Sequence, residues 1–405
     1  MLEKVITRWI KLILQLELTN RCNLRCSYCL RNSCNIKPAD FPVRLFERII
    51  DETEPNKLIL YGWGEPLMHK DFLQFLKIAK RYRVETATNT NATLLTPKLM
   101  KKLSSMLTSI CISIHGNNLE KISQAIKQEL NVSASLIITK DNVSNISKTV
   151  ESLCELGVKE INLSHPIPFS KEVFKRCLFI TQSREAFEIS KPYLDRGWEF
   201  IHSAVVQSLI EIYQGKQIGD AWEEYKRLRE KALEQGCSIN LPALLNYRER
   251  LKDILKLEKQ FEEIKRLAFE YGVSLHIPEI FANSRKRSCE YIEKDISFVK
   301  ANGEVAPCML YAYEHEEYLN FHSKRIEKVS YGNVREKSLA EIWKNEEYVK
   351  FREIRKNFDN IPWCGECVYS TLDCWYVNSN EVDCYGNSPT CNECLFSVGI
   401  SKCIL

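Results

Sequence analysis

The sequence predicts an α/β protein with a parallel sheet, a helical insertion and a cysteine-rich C-terminal extension. Three observations carry this prediction. Apolar runs of strand length alternate with amphipathic segments between residues 12 and 164, charged helical segments fill residues 171–271, and nine of the 17 cysteines fall in the last 120 residues. Short apolar runs alternating with helical patterns are the signature of repeated strand–helix units.

In chain order, strands are predicted at residues 12–18, 57–61, 83–87, 109–114, 133–139 and 159–163, with helices around Phe46, Leu76, Leu99 and Val150. The segments AWEEYKRLREKALEQG and YRERLKDILKLEKQFEEIKRLAFEYG repeat apolar residues at intervals of three and four, with opposite charges often similarly spaced. That pattern predicts helices with solvated faces; a docking surface for a partner or substrate is the sharper alternative. The run VSLHIP predicts a strand that returns to the sheet, with His276 as a structural residue. The expected organisation is a core over residues 1–170, an insertion over 171–272, a return over 273–288 and the cysteine-rich domain over 289–405.

Composition narrows the function classes. A chain of 405 residues with 44% apolar content has enough material for two domains and a large core. Its net charge of +4 is small beside 57 basic and 53 acidic residues, and no basic block stands out, so nucleic-acid binding has no support. The opening MLEKVITRWIKLILQ breaks its apolar residues with Lys4, Arg8 and Lys11 and does not read as a signal peptide. No run approaches the roughly 20 apolar residues of a membrane helix. A cytoplasmic protein is expected, in which 17 cysteines argue for metal ligation rather than disulfides. The high Lys, Glu and Ile content fits a heat-adapted organism.

The chemistry centres on LQLELTNRCNLRCSYCL, in which Cys22, Cys26 and Cys29 follow the first strand at separations of three and two intervening residues. Three thiolates hold three irons of a [4Fe-4S] cluster and leave the fourth open, whereas electron-transfer clusters usually take four cysteines. Tyr28 precedes the third cysteine, where an aromatic face could cover a heterocycle. After KLILY comes Gly62-Trp63-Gly64-Glu65-Pro66, a turn whose glycines permit close backbone approach and whose Glu65 could accept hydrogen bonds from an ammonium group. A zinc site completed by Cys34 is the alternative reading of the triad. Thr88, Asn89, Ser113 and His165 also lie at or just past predicted strand ends, the edge where ligands gather in parallel α/β folds.

The triad, the aromatic and the turn together resemble the radical SAM enzymes. The resemblance implies a partial (β/α)6 radical SAM barrel and a [4Fe-4S] cluster on Cys22, Cys26 and Cys29, with its open iron chelating S-adenosylmethionine. Asn89 and Ser113 stand where such enzymes contact that cofactor, beside Tyr28, Gly64 and Glu65; as plain structure they would end a strand or cap a helix. His115 stands where the family usually has an acid, and the family's arginine after Ser113 is missing.

The tail resembles the SPASM extension of these enzymes. Cys289, Gly303 and Cys308 match its opening, and Cys364, Cys367, Cys374 and Cys384 its later run, although with six and nine residues in the last two gaps where five and three are usual. Cys391, Cys394 and Cys403 follow. The resemblance implies one or two auxiliary [4Fe-4S] clusters, with Cys289, Cys308 and Cys384 serving the first by matching order, and Cys364, Cys367, Cys374 and one late cysteine the second. A zinc ribbon on the two short-spaced pairs is the alternative.

The stretch SYGNVREKSLAEIWKNEEYVKFR and the ending DCYGNSPTCNECLFSVGISKC are similar to radical SAM maturases associated with tungsten-dependent aldehyde oxidoreductases. This implies reductive cleavage of S-adenosylmethionine to modify a tungsten pterin cofactor or its oxidoreductase, with a reductant such as ferredoxin. A maturase of ribosomal peptides shares the same parts. The radical SAM enzyme of molybdopterin synthesis fits less well, because it has fewer tail cysteines and a diglycine end where this chain has Lys402-Cys403-Ile404-Leu405. A non-catalytic iron–sulfur electron carrier is the reading from another class. No residue stands out as a substrate acid, base or radical relay.

Overall fold

The computed structural model describes residues 12–116 and 118–403. Six strands alternate with five helices in order: β1 (Ile13–Leu16), α1 (Val43–Thr53), β2 (Lys57–Ile59), α2 (Phe72–Arg81), β3 (Glu85–Thr90), α3 (Pro97–Leu103), β4 (Ser109–Ser113), α4 (Leu119–Lys127), β5 (Val132–Ile137), α5 (Ile146–Glu155) and β6 (Glu160–Ser164). The six strands are parallel and lie side by side in chain order. With right-handed crossovers, such stepwise addition puts the helices on one face and curls the sheet toward a barrel.

The strand sequences explain the layers. In β1 and its flanks Leu12, Leu14, Leu16 and Leu18 face the helices and are buried, while the alternate positions bring Gln15 and Glu17 to the opposite, interior face, also buried. Helices α1 and α2 close over the leucine face through Phe46 and Phe75, whose rings meet edge to face at 4.9 Å. Local signals set several helix starts. Thr96 accepts from the Leu99 amide ahead of Pro97, and Ser170 accepts from the Val173 amide.

The insertion is helical, as its periodicity predicts: α6 (Lys171–Arg176), α7 (Arg184–Leu194), α8 (Gly197–Gln214), α9 (Ala221–Glu234), α10 (Leu241–Asn246) and α11 (Arg248–Glu270). VSLHIP then forms β7 (Ser274–His276), parallel to β6 at one sheet edge. At the other edge the tail rejoins the sheet. After α12 (Glu290–Glu293), β8 (Ile296–Val299) pairs parallel with β1, and β9 (Val305–Ala306) pairs antiparallel with β8. Among the described residues the sheet thus has nine strands. The hairpin β10 (His315–Leu319) and β11 (His322–Ile326) and helices α13 (Leu339–Trp343) and α14 (Glu346–Arg355) follow. The final cysteine-bearing segment is almost without regular structure. Among the described residues no helix is long and apolar enough to cross a membrane.

One extension of a strand matters for the site. The sequence places the third strand at 83–87, whereas β3 runs through Thr90. Its Thr86, Thr88 and Thr90 are buried β-branched residues whose hydroxyls bond within the sheet edge, as when Thr88 donates to the Leu60 carbonyl at 2.8 Å. A Thr- and Asn-rich run therefore continues the strand instead of ending it.

His165, just past β6, is 1% exposed, and neither ring nitrogen has a hydrogen-bond partner among the described residues. It packs edge-on against Phe179 at 5.4 Å. Burial pulls its pKa from 6.5 down to about 3. Between these values the unfolded chain binds a proton that the folded chain refuses, so stability is lost as pH falls through that window. From pH 7 to pH 5 this group should cost about 2 kcal/mol. Urea unfolding at both pH values should show the loss in the wild type and a correspondingly smaller one in His165→Leu.

Candidate radical and iron–sulfur sites

A cavity of about 240 Å³ opens at the carboxyl edge of the sheet. Cys22, Cys26 and Cys29 lie on one side of it, with Tyr28, Gly64, Glu65, Asn89 and Ser113 also on its wall, so the residues singled out in the first half of the sequence converge there. Burial raises the thiol pKa of Cys29 to about 11, and the neighbouring Cys26 and Cys22 push the same way. The Cys22 sulfur accepts from the Leu24 amide at 3.4 Å and faces the Asn91 amide nitrogen at 3.8 Å. Such N–H groups aimed at sulfur favour thiolate character.

The turn after β2 is built against the loop that carries the triad. A Cβ on Gly64 would sit 2.1 Å from the Thr19 carbonyl oxygen and 2.7 Å from that of Arg21. The Glu65 amide donates to that same Arg21 carbonyl at 2.8 Å. The glycine that the sequence offers for contact with a ligand thus serves contact with the chain itself.

Glu65 is 2% exposed, and its carboxylate accepts from the Thr90 hydroxyl at 2.7 Å, the Asn91 amide at 2.8 Å and the Leu67 amide at 3.1 Å. Burial raises its pKa against these hydrogen bonds. Through Asn91 it also holds the loop of Cys22, because the Asn91 side chain donates to Asn23 at 3.0 Å. Asn89 accepts from the Ser113 hydroxyl at 3.2 Å, and Tyr28 meets Nδ1 of His115 at 3.4 Å. Sequence reading did not find Asn91. Its only signal is its place just past a strand end.

The tail also contributes to the wall. Met309, Phe396, Lys402 and Cys403 line the cavity, as do Trp63 and Phe169. The indole of Trp63 donates to the Met309 carbonyl at 2.9 Å and packs edge-on against Phe169 at 5.7 Å. The last residues lie across the end of β6, where the Lys402 amide donates to the Ser164 hydroxyl at 3.1 Å and the Ser401 hydroxyl to the His165 carbonyl at 2.9 Å.

The tail cysteines form two sets, and the sets differ from those read off by order. Cys289 is influenced by Cys391, Cys308 by Cys391, Cys289 and Cys394, and Cys403 by Cys394, Cys289 and Cys308, each after a larger effect of burial. Cys364 is influenced by Cys367 and Cys384, and Cys384 in turn by Cys367 and Cys374. Cys384 therefore lies near Cys364, Cys367 and Cys374, and Cys391, Cys394 and Cys403 lie near Cys289 and Cys308. Matching by order pairs Cys384 with Cys289 and Cys308, whereas the long gap before it lets the chain stay beside the 364–374 loops while the final segment returns to Cys289.

Among the described residues no three His, Cys, Asp or Glu groups converge closely enough to hold a single metal ion. All 17 cysteines are free thiols, as cluster assembly requires.

The family model of the radical SAM superfamily matches residues 16–172, and that of the SPASM iron–sulfur cluster-binding domain matches residues 289–368. These matches identify a radical SAM domain followed by a SPASM domain. The chain is an enzyme of that class, with a [4Fe-4S] cluster and S-adenosylmethionine for the first domain and auxiliary iron–sulfur clusters for the second.

Among individual relatives, it is 27% identical over 394 residues to the tungsten-containing aldehyde ferredoxin oxidoreductase cofactor-modifying protein of Pyrococcus furiosus, covering 96% of each chain. It is 22% identical over 377 residues to the AdoMet-dependent heme synthase of Methanosarcina barkeri, covering 88% of each. The mycofactocin maturase MftC of Mycolicibacterium smegmatis is 34% identical over 107 residues, 26% of this chain and 27% of that one.

Two outcomes test this geometry. Gly64→Ala should displace the turn from the triad loop and lower iron by about one cluster per chain after reconstitution, with the tail sets still loaded. Cys364→Ala combined with Cys384→Ala should lose no more iron than either alone, whereas Cys384→Ala combined with Cys308→Ala should lose two clusters. Additive loss in the first pair would refute the grouping.

Proposed function

We propose that this enzyme modifies a tungsten pterin cofactor or the oxidoreductase that carries it. The observation that supports the reading most is the similarity to the Pyrococcus furiosus cofactor-modifying protein, which runs through core, insertion and tail alike. Cys22, Cys26 and Cys29 would hold the [4Fe-4S] cluster, and Tyr28, Gly64, Glu65, Asn89 and Ser113 would form the adjoining seat of S-adenosylmethionine. When bound, these groups supply a 5′-deoxyadenosyl radical that takes a hydrogen atom from the substrate.

The chain's own task is positioning and exclusion. Trp63, Phe169, Met309 and Phe396 give the cavity an apolar wall that keeps water from the reacting atoms. Glu65 fixes the Thr90–Asn91 corner, so the seat and the Cys22 loop keep one geometry. Four of Cys289, Cys308, Cys391, Cys394 and Cys403 would hold one auxiliary cluster, and Cys364, Cys367, Cys374 and Cys384 the other.

A peptide maturase is the second reading, favoured by the 34% identity to mycofactocin maturase MftC over 107 residues. Anaerobic reconstitution with iron and sulfide, then dithionite and S-adenosylmethionine, separates the readings. The wild type should release 5′-deoxyadenosine, and the Cys22/Cys26/Cys29 triple alanine variant should release none. Release should rise on adding an immature tungsten oxidoreductase or its pterin cofactor. Stimulation by a small peptide encoded beside this gene, and none by the tungsten components, would overturn the proposal in favour of peptide maturation.

A further inference from the structure

The inner set of tail thiols is accompanied by two guanidinium groups whose charge the rest of the structure leaves unanswered. Arg355, on α14, is 2% exposed. Among the described residues its hydrogen bonds go to the Cys391 sulfur at 3.1 Å from Nε, to the Phe351 carbonyl at 3.0 Å and to the Pro389 carbonyl, and none to a carboxylate. Its guanidinium also lies 3.4 Å from the centre of the Phe351 ring.

Arg287 approaches from the other side. It donates to the Ile361 carbonyl at 2.7 Å, the Cys391 carbonyl at 3.1 Å and the Ser397 hydroxyl at 3.5 Å, and it lies over the rings of Phe358 and Trp363. The sulfurs of Cys394, Cys391 and Cys364 act on its charge more strongly than the carboxylate of Asp359 does.

A buried cation without an anion is costly, and a side chain as always-charged as arginine cannot escape by losing its proton. The outer set differs in degree. Cys364 shares Arg287 with the inner set, but its other cation, Lys324, is neutralised by Glu393 at 3.1 Å. Net positive charge is thus concentrated around Cys391, where four thiolates and a [4Fe-4S] core would bring net negative charge.

We propose that Arg355, assisted by Arg287, is the counter-charge of the inner auxiliary cluster and sets its reduction potential through the hydrogen bond to the Cys391 sulfur. The proposal rests on the assignment of the inner set to a cluster, with Cys391 as one of its four ligands. One-electron reduction adds negative charge to the cluster. A guanidinium donating to a ligand sulfur stabilises that added charge and raises the potential. Arg355 is a positioning residue in this account, since it touches neither substrate nor S-adenosylmethionine.

The test uses the full chain with Cys22, Cys26 and Cys29 changed to alanine, so that only auxiliary clusters remain. Iron per chain is counted, and midpoint potentials are read by electron paramagnetic resonance during anaerobic redox titration. Arg355→Gln should keep its iron and move one of the two midpoints to a more negative value while the other stays fixed. Arg355→Lys, which keeps the charge, should recover most of that shift.

If Arg355→Gln loads no inner cluster, Arg287→Gln carries the test and should give a smaller shift in the same direction. A loaded variant with both midpoints unchanged would overturn the role of Arg355 and leave the cluster assignment standing. Absence of auxiliary iron in the parent would overturn the assignment beneath it. The two failures are separated by the iron count.

Discussion

The carboxylate of Glu17 joins the parts of this molecule. It follows β1 on the interior face, is 0% exposed, and accepts from the Trp63 amide at 2.9 Å, the Ala301 amide at 3.2 Å and the Tyr313 hydroxyl. Burial raises its pKa, while these donors and the charge of Lys300 work in the opposite direction. A carboxylate sealed from water must find donors within the protein, or it is expensive to keep. The three donors come from the turn after β2, the link between β8 and β9, and the tail before the hairpin. One side chain thereby fixes barrel, turn and tail against each other.

The same constraint explains why the turn is glycine-rich. A Cβ on Gly62 would lie 2.6 Å from the Glu17 side chain, and one on Gly64 would strike the backbone leading to Cys22. The two glycines thus let one turn press on Glu17 and on the triad loop together. Trp63 between them carries the connection outward, because its indole donates to the carbonyl of Met309, next to Cys308. The cavity wall therefore combines the core with a smaller part of the tail, held together by hydrogen bonds.

Much of this was legible in the sequence because it is local. Strand–helix alternation fixes the order of the sheet, and β7 follows from a short apolar run after the insertion. The triad and its turn are contiguous motifs, and the cavity brings them together with Asn89 and Ser113. What the sequence conceals is nonlocal. Strands β8 and β9 are too short to announce themselves, and they join the sheet only because Ile296–Val299 finds the open edge of β1. Glu65 has the chemistry to bind an ammonium group, yet the strand extension to Thr90 brings it three donors from its own chain. The partners of Cys384 depend on how the chain returns through space, which spacing alone does not encode.

The two tail sets differ in a way that their order along the chain hides. The inner set adjoins the cavity through Cys403 and Met309 and is otherwise enclosed, with Cys289, Cys308 and Cys394 all pushed up in pKa, chiefly by burial. The outer set reaches the surface. Cys384 is exposed, and Tyr369, Leu372, Trp375 and Tyr385 are exposed beside these cysteines in the chain. The sets touch where the Cys364 amide donates to the Asn392 carbonyl at 3.0 Å, between Cys391 and Cys394. An enclosed set beside unpaired cations and an exposed set beside a neutral Lys–Glu pair are different electrostatic environments, and solvent exposure and hydrogen bonds to sulfur are what separate cluster potentials. The tail accordingly offers two unlike thiol environments, and the irregular backbone that resists reading from sequence is what allows nine thiols to be divided between them.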